Sequence, residues 1–252
     1  MARIISIHSF RGGTGKSNTA ANIAALLASQ GLKVGVVDSD IQSPGIHILF
    51  GIRGEDVKYS LNDYLWGNCA IEETAHDVTS NLGAEVSGQV LLIPSSMDTG
   101  NIARVLHEGY DVGVMSQGLR ELSAKLELDV LLIDTHPGLN EETLLSIALS
   151  DVLVIILRPD EQDYEGTAVT ISVARRLQVP RMYLILNKVP QVYDIEQVKE
   201  QVVQTYETEI AAVIPHSDEM MTLASRGIFA MHFPNHPITK LFREVADQLT
   251  AS

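Results

Sequence analysis

From one end of the chain to the other, short aliphatic and β-branched runs alternate with longer stretches in which apolar residues recur every three or four positions. The short runs include Val130-Leu131-Leu132-Ile133 and Val152-Leu153-Val154-Ile155-Ile156-Leu157, which lack polar positions altogether. A strand with one wet face alternates apolar and polar residues; a continuous apolar run marks a strand covered on both sides. The pattern predicts seven strands, at residues 4–8, 34–37, 90–94, 130–134, 152–157, 183–187 and 211–214. Between them it predicts helices at 17–30, 61–65, 72–76, 112–126, 141–149, 164–177, 194–207, 218–226 and 238–249. Strand and helix taking turns along the whole chain is the mark of an α/β fold, a doubly wound, mainly parallel sheet flanked by helices. In the first helix Ile23, Leu26 and Leu27 share a face and Gly31 closes the C-terminus. The last helix carries Ile238, Leu241, Phe242, Val245 and Leu249 on a stripe expected to face the core. The polar stretch 72–89, with Gly83 and Gly88, is expected to be a mobile excursion.

At 252 residues and 45% hydrophobic content, the chain suits one domain, residues 1–252, with a core large enough to need neither disulfide nor metal. Its single cysteine, Cys69, fits a reducing cytoplasm, and no signal-peptide pattern opens the chain. The longest aliphatic run, 152–157, is far shorter than the roughly 20 residues a bilayer crossing needs, so no membrane anchor is expected. A formal net charge of −14 argues against a constitutive grip on nucleic acid or anionic lipid. Arg175, Arg176, Arg181 and Lys188 leave a local basic patch open as the alternative.

Chemistry concentrates where strands end. After the first strand comes Phe10-Arg11-Gly12-Gly13-Thr14-Gly15-Lys16-Ser17-Asn18, leading into an alanine-rich helix. Glycines let backbone N–H groups turn toward an anion, and the helix start adds unpaired amides and a positive dipole end. Lys16 supplies a full charge for phosphates and Ser17 a hydroxyl for a phosphate-bound Mg²⁺. The second strand runs out into Asp38-Ser39-Asp40, and strand alternation places both carboxylates on one side. A third acid, Asp134, tips the apolar strand 130–134, as a Mg²⁺-holding carboxylate does beside such a loop. Together these residues predict a nucleoside triphosphate and Mg²⁺ as ligands.

The loop resembles the deviant phosphate-binding loop of the MinD/ParA ATPases, K-G-G-x-G-K-[ST], with Gly12, Gly13, Gly15, Lys16 and Ser17 in place and Arg11 where that family has its second lysine. The likeness runs over essentially the whole chain. It implies that Arg11 reaches the partner's phosphates across an ATP-bound homodimer, and that Asp40 orients the hydrolytic water. Asp134-Thr135-His136-Pro137-Gly138 looks like the family's D-T-P-P-G switch with His136 for the first proline. Asn187-Lys188 and Pro215 resemble its base-binding segments; guanine readers carry an aspartate where this chain has Pro190, which points to ATP. The implied site is therefore catalytic Arg11, Lys16 and Asp40; cofactor-binding Gly12, Gly13, Thr14, Gly15, Lys16, Ser17, Asn18, Asn187 and Pro215; and metal-holding Ser17, Asp40 and Asp134.

The function so implied is a slow, partner-stimulated ATPase that switches by dimerising and positions or partitions a cargo through an unidentified protein partner. The departures at Arg11 and His136 keep an alternative in view: a nucleotide-binding interaction module with little hydrolysis of its own. A ligase or small-molecule kinase of the same fold has no added substrate signature to support it. Iron–sulfur members need paired cysteines, and this chain has one.

Overall fold

The computed structural model describes residues 2–251. Eight strands make one sheet: β1 (Arg3–His8), β2 (Lys33–Asp38), β3 (His76–Asp77), β4 (Gln89–Ile93), β5 (Val130–Asp134), β6 (Val152–Leu157), β7 (Arg181–Val189) and β8 (Glu209–Pro215). Across the sheet they lie in the order β3-β4-β2-β5-β1-β6-β7-β8. All neighbours are parallel except β3, which pairs antiparallel with β4 at the edge. The chain thus builds outward from β1 on one side with β2 and β4, returns through β5, and then builds on the other side with β6, β7 and β8. Such a reversal opens a crevice beyond the carboxyl ends of the strands, where open α/β sheets hold ligands.

Among the described residues eight α-helices connect the strands, α1 (Lys16–Ser29), α2 (Ile46–Leu49), α3 (Leu61–Leu65), α4 (Thr99–Glu108), α5 (Val112–Lys125), α6 (Glu141–Leu149), α7 (Glu161–Arg176) and α8 (Ile195–Tyr206), and three follow β8, α9 (Asp218–Leu223), α10 (Phe229–His232) and α11 (Pro237–Thr250). Continuous apolar strands are explained by cores on both faces. Val130 and Leu132 pack into one cluster with α1 and α11, whereas Leu131 and Ile133 pack into another with Leu119 and Leu122 of α5. A third cluster joins Leu153, Ile155 and Leu184 to Ile171 of α7. Phe50, Phe229 and Phe242 are fully buried, each contributing about 1.5–3 kcal/mol by burial. The α11 stripe faces the core as its pattern predicts, with Ile238, Phe242, Val245 and Leu249 buried.

Four differences from the sequence pattern have physical causes. Residues 72–76 are not a helix: a 3₁₀ turn at Ile71–Thr74 leads into β3, because five residues without an apolar face nucleate no α-helix. Within the stretch 72–89, expected as a mobile excursion, His76 and Asp77 pair with Leu92 and Leu91 of β4 at the sheet edge. Helix α4 escaped the pattern since only Val105 is buried along it; its start is set by Asp98, which accepts from the Asn101 amide at 2.9 Å. Helix α9 stops at Leu223, before the left-handed Ala224, and the chain re-forms α10 further on.

Candidate nucleotide-binding site

Residues 9–15 span the gap from β1 to α1 at the carboxyl edge of the sheet. Gly13 and Gly15 take φ values of +75° and +103°, a region that costs other residues dearly. A Cβ on Gly15 would also collide with Asn187 Nδ2. That contact reflects a strap: Asn187 Nδ2 donates to the Thr14 carbonyl at 2.7 Å, and Lys188 Nζ to the Gly13 carbonyl at 2.9 Å. Lys188 holds the left-handed φ of +58° that this reach requires. With its carbonyls engaged from β7, the loop keeps the amides of Gly12, Gly13, Thr14 and Gly15 free of any protein acceptor among the described residues. Such a cluster of unused donors at a helix start is what an anion binds.

Next to the loop lies a nest of acids. Lys16 is largely buried, as are Asp134 and Asp38. Ser17 stands beside the Asp134 carboxyl, whose Oδ1 is buried with no hydrogen-bond partner among the described residues. Burial drives the Asp134 pKa up to about 6 against the pull of Lys16. A buried acceptor left in that condition is costly unless a cation or a cation's water meets it. The residues present therefore suit Mg²⁺. Among the described residues no three His, Cys, Asp or Glu side chains form a metal cage.

Asp38 and Asp40 differ in burial and in partners. Strand β2 ends at Asp38, so alternation stops there. The Asp38 carboxylate turns back to accept from the amides of Asp40 at 3.1 Å and Gly45 at 3.0 Å, bracing the loop that leads to α2. Burial and the neighbouring Asp134 raise its pKa well above the usual range. Asp40 keeps a small exposure, its pKa raised by burial while His136 and Lys16 oppose the rise.

On the β7–β8 side, Gly13, Gly15, Lys16, Ser17, Asn18, Asn187 and Pro215 line one cleft of about 410 Å³, floored by Met220 and Met221 of α9. The two methionines carried no sequence signal beyond being apolar in a polar stretch. Asn187 is committed to protein partners, since its Oδ1 accepts from the Lys188 amide at 2.9 Å. Gly12 and Thr14 belong to the loop without lining this cleft; Thr14 Oγ1 is buried and unpartnered.

Arg11 points elsewhere than at its own loop. Its Nη1 lies 3.4 Å from both Asp160 carboxylate oxygens and 3.5 Å from Asp163 Oδ1. Asp163 is held two-pronged by Arg158, at 3.0 and 3.2 Å. Burial works to raise the Asp163 pKa, but the Arg158 hydrogen bonds outweigh it and keep it low. Sequence reasoning missed this group; the acid-rich start of α7 after Arg158-Pro159 was its only trace. Missed as well was His8, wholly buried under the loop with Nδ1 2.7 Å from Thr135 Oγ1.

A family model described as an AAA domain matches residues 2–184. The chain belongs to that family. It is 27% identical, over 99% of its length and 88% of the relative's, to an uncharacterized ATP-binding protein of Methanocaldococcus jannaschii. An iron-sulfur cluster carrier protein of Pseudomonas fragi is 27% identical over 96% of this chain and 83% of its own. The septum site-determining protein MinD of Pyrococcus horikoshii, solved with Mg-ADP, superposes with a TM-score of 0.80 at 22% identity, covering 98% of this chain and 96% of that one. The AAA-domain chain thus has the MinD-like P-loop fold that its loop announced. Among its described residues no helix is long and apolar enough to cross a membrane.

Proposed function

We propose that this chain is a Mg²⁺-dependent ATPase, one domain over residues 1–252, whose ATP-bound form pairs with a second copy and thereby switches a cargo-positioning partner. The observation that carries this reading is the meeting of Lys16, Ser17, Asp134 and Asp40 beside four loop amides with no protein acceptor. The amides of Gly12, Gly13, Thr14 and Gly15 would cradle the phosphates, with Lys16 on their terminal charge. Ser17 and Asp134 would hold Mg²⁺, directly and through its water, with Asp40 close by. When bound, the ion neutralises phosphate charge and draws electrons from the breaking bond. Asn18, Asn187 and Pro215 would border the base and sugar. Arg11 would reach the partner copy's phosphates once it leaves Asp160.

A positioning role draws support from the septum site-determining name of the MinD neighbour. Cluster carriage of the Pseudomonas kind draws none from the lone Cys69. The site lies in the cell interior on this reading, with neither lipid nor nucleic acid as a standing partner for a chain of charge −14.

The test is sedimentation equilibrium and phosphate release with and without Mg-ATP. A monomer that dimerises only with ATP, and loses dimer and turnover in both Lys16→Ala and Arg11→Ala, supports the proposal. Persistence of both properties in both variants would overturn it. ATP binding with no phosphate release, alone or with cell extract, would replace it by the interaction-module reading.

A further inference from the structure

Resting on the ATPase reading, we infer that His136 is a second water-holding group of the hydrolytic centre, working beside Asp40. The family that the switch segment resembles has proline at this place, a ring that neither donates nor accepts. Here the ring is fixed by one bond: His136 Nδ1 lies 2.6 Å from the Pro137 carbonyl. A carbonyl oxygen only accepts, so Nδ1 carries a hydrogen, and in the Nδ1–H tautomer Nε2 is the ring's acceptor end. Nε2 sits 3.8 Å from Asp40 Oδ1. That separation is too long for a direct hydrogen bond and sets two acceptors side by side.

Two neighbouring acceptors are joined by a molecule with two hydrogens to give. A water donating one O–H to Nε2 and one to Oδ1 turns its lone pairs away from both, which is the orientation an attack on phosphorus requires. Both side chains are mostly buried, at 24% and 17% exposure, so bulk solvent competes little for that water. Asp40 follows the end of β2 and His136 the end of β5, so the pair stands at the carboxyl edge of the sheet, where the phosphate loop also lies.

The step served is ordinary hydrolysis. The water oxygen bonds to the γ-phosphorus, the bond to the β–γ bridging oxygen breaks with its electron pair leaving on ADP, and the water's proton ends on the released phosphate. His136 holds the water and neither gains nor loses an atom. Its contribution is alignment, and it acts only when the attacking water is in place.

Steady-state phosphate release and calorimetric Mg-ATP binding, measured on the full chain, separate the possibilities. His136→Ala is expected to lower kcat on the order of 10²-fold while the calorimetric ATP affinity stays as in the unaltered protein. His136→Gln, which restores an acceptor, recovers part of that loss, and His136→Pro recovers none. Should His136→Ala fold poorly by circular dichroism, the Pro and Gln pair decides in its place. Undiminished kcat in His136→Ala, with Asp40→Ala inactive, overturns the inference and leaves the ATPase reading standing. A loss of kcat matched by lost ATP affinity also overturns it. No turnover by the unaltered protein, alone or with cell extract, sinks both.

Discussion

The Arg11 guanidinium lies 3.4 Å from both carboxylate oxygens of Asp160 in its own chain. The cation proposed to reach a partner's phosphates is thus held on the start of α7, and pairing requires its release. The Arg11–Asp160 pair is half-exposed, at 39% and 44%, and water screens it strongly, so breaking that pair costs no more than about 1 kcal/mol. Asp160 also caps α7 by accepting from the Asp163 amide at 3.0 Å. Asp160→Asn therefore keeps the cap and removes the charge. Sedimentation velocity in Mg-ATP should show dimer at protein concentrations about two- to fivefold lower. A weakened dimer would mean that Asp160 itself belongs to the interface.

Gly15 tests the loop. Its φ of +103° and the Asn187 amide beside its α-carbon leave no room for a side chain. In Gly15→Ala a local cost of about 1–3 kcal/mol falls on the loop, and calorimetry should record ATP affinity reduced at least about tenfold. Adding Asn187→Ala relieves the collision but not the backbone, so recovery should be partial. Full recovery would show that crowding alone required the glycine.

Asp134 tests the ion. Its buried, unpartnered Oδ1 is expected to meet a water of the Mg²⁺ shell. Outer-shell partners of a metal affect its affinity about 10–100-fold. In Asp134→Asn the gain in ATP affinity on adding Mg²⁺ should shrink by that order. An unchanged gain would remove Asp134 from the metal site.

His8 gives a pH signature. Burial first, then the charge of Lys16, lowers its pKa from 6.5 to about 3. Between those values the unfolded chain takes up a proton that the folded chain refuses, so stability is complete above pH 6.5 and is lost as pH falls. The slope from this residue is about 1.4 kcal/mol per pH unit. The raised carboxylates Asp38 and Asp134 oppose the trend, since folding helps them keep protons. The difference between the unaltered protein and His8→Gln isolates the histidine. Urea unfolding at pH 7 and pH 5.5 should show His8→Gln losing less stability on acidification, by about 1–2 kcal/mol; parallel losses would refute the assignment.

The chain by itself determined the sheet and its loop. Its seven principal strands stand out because strands buried on both faces cannot carry polar residues, and the Gly12-Gly13-Thr14-Gly15-Lys16-Ser17 segment because a backbone approaching phosphate needs glycine at fixed places. Tertiary structure alone decided what depends on a partner distant in sequence. Strand β3 exists because β4 offers it an edge, and α4 because a cap rather than a buried stripe starts it. Asp38 and Asp40, equivalent on paper, part company because β2 ends between them and Gly45 claims the first. Arg11 meets Asp160 across 149 positions and His136 meets Asp40 across the sheet's edge. Periodicity reports a residue's exposure to one side of its own element; it says nothing about which charge another element brings to that side, and in this protein those encounters set the chemistry.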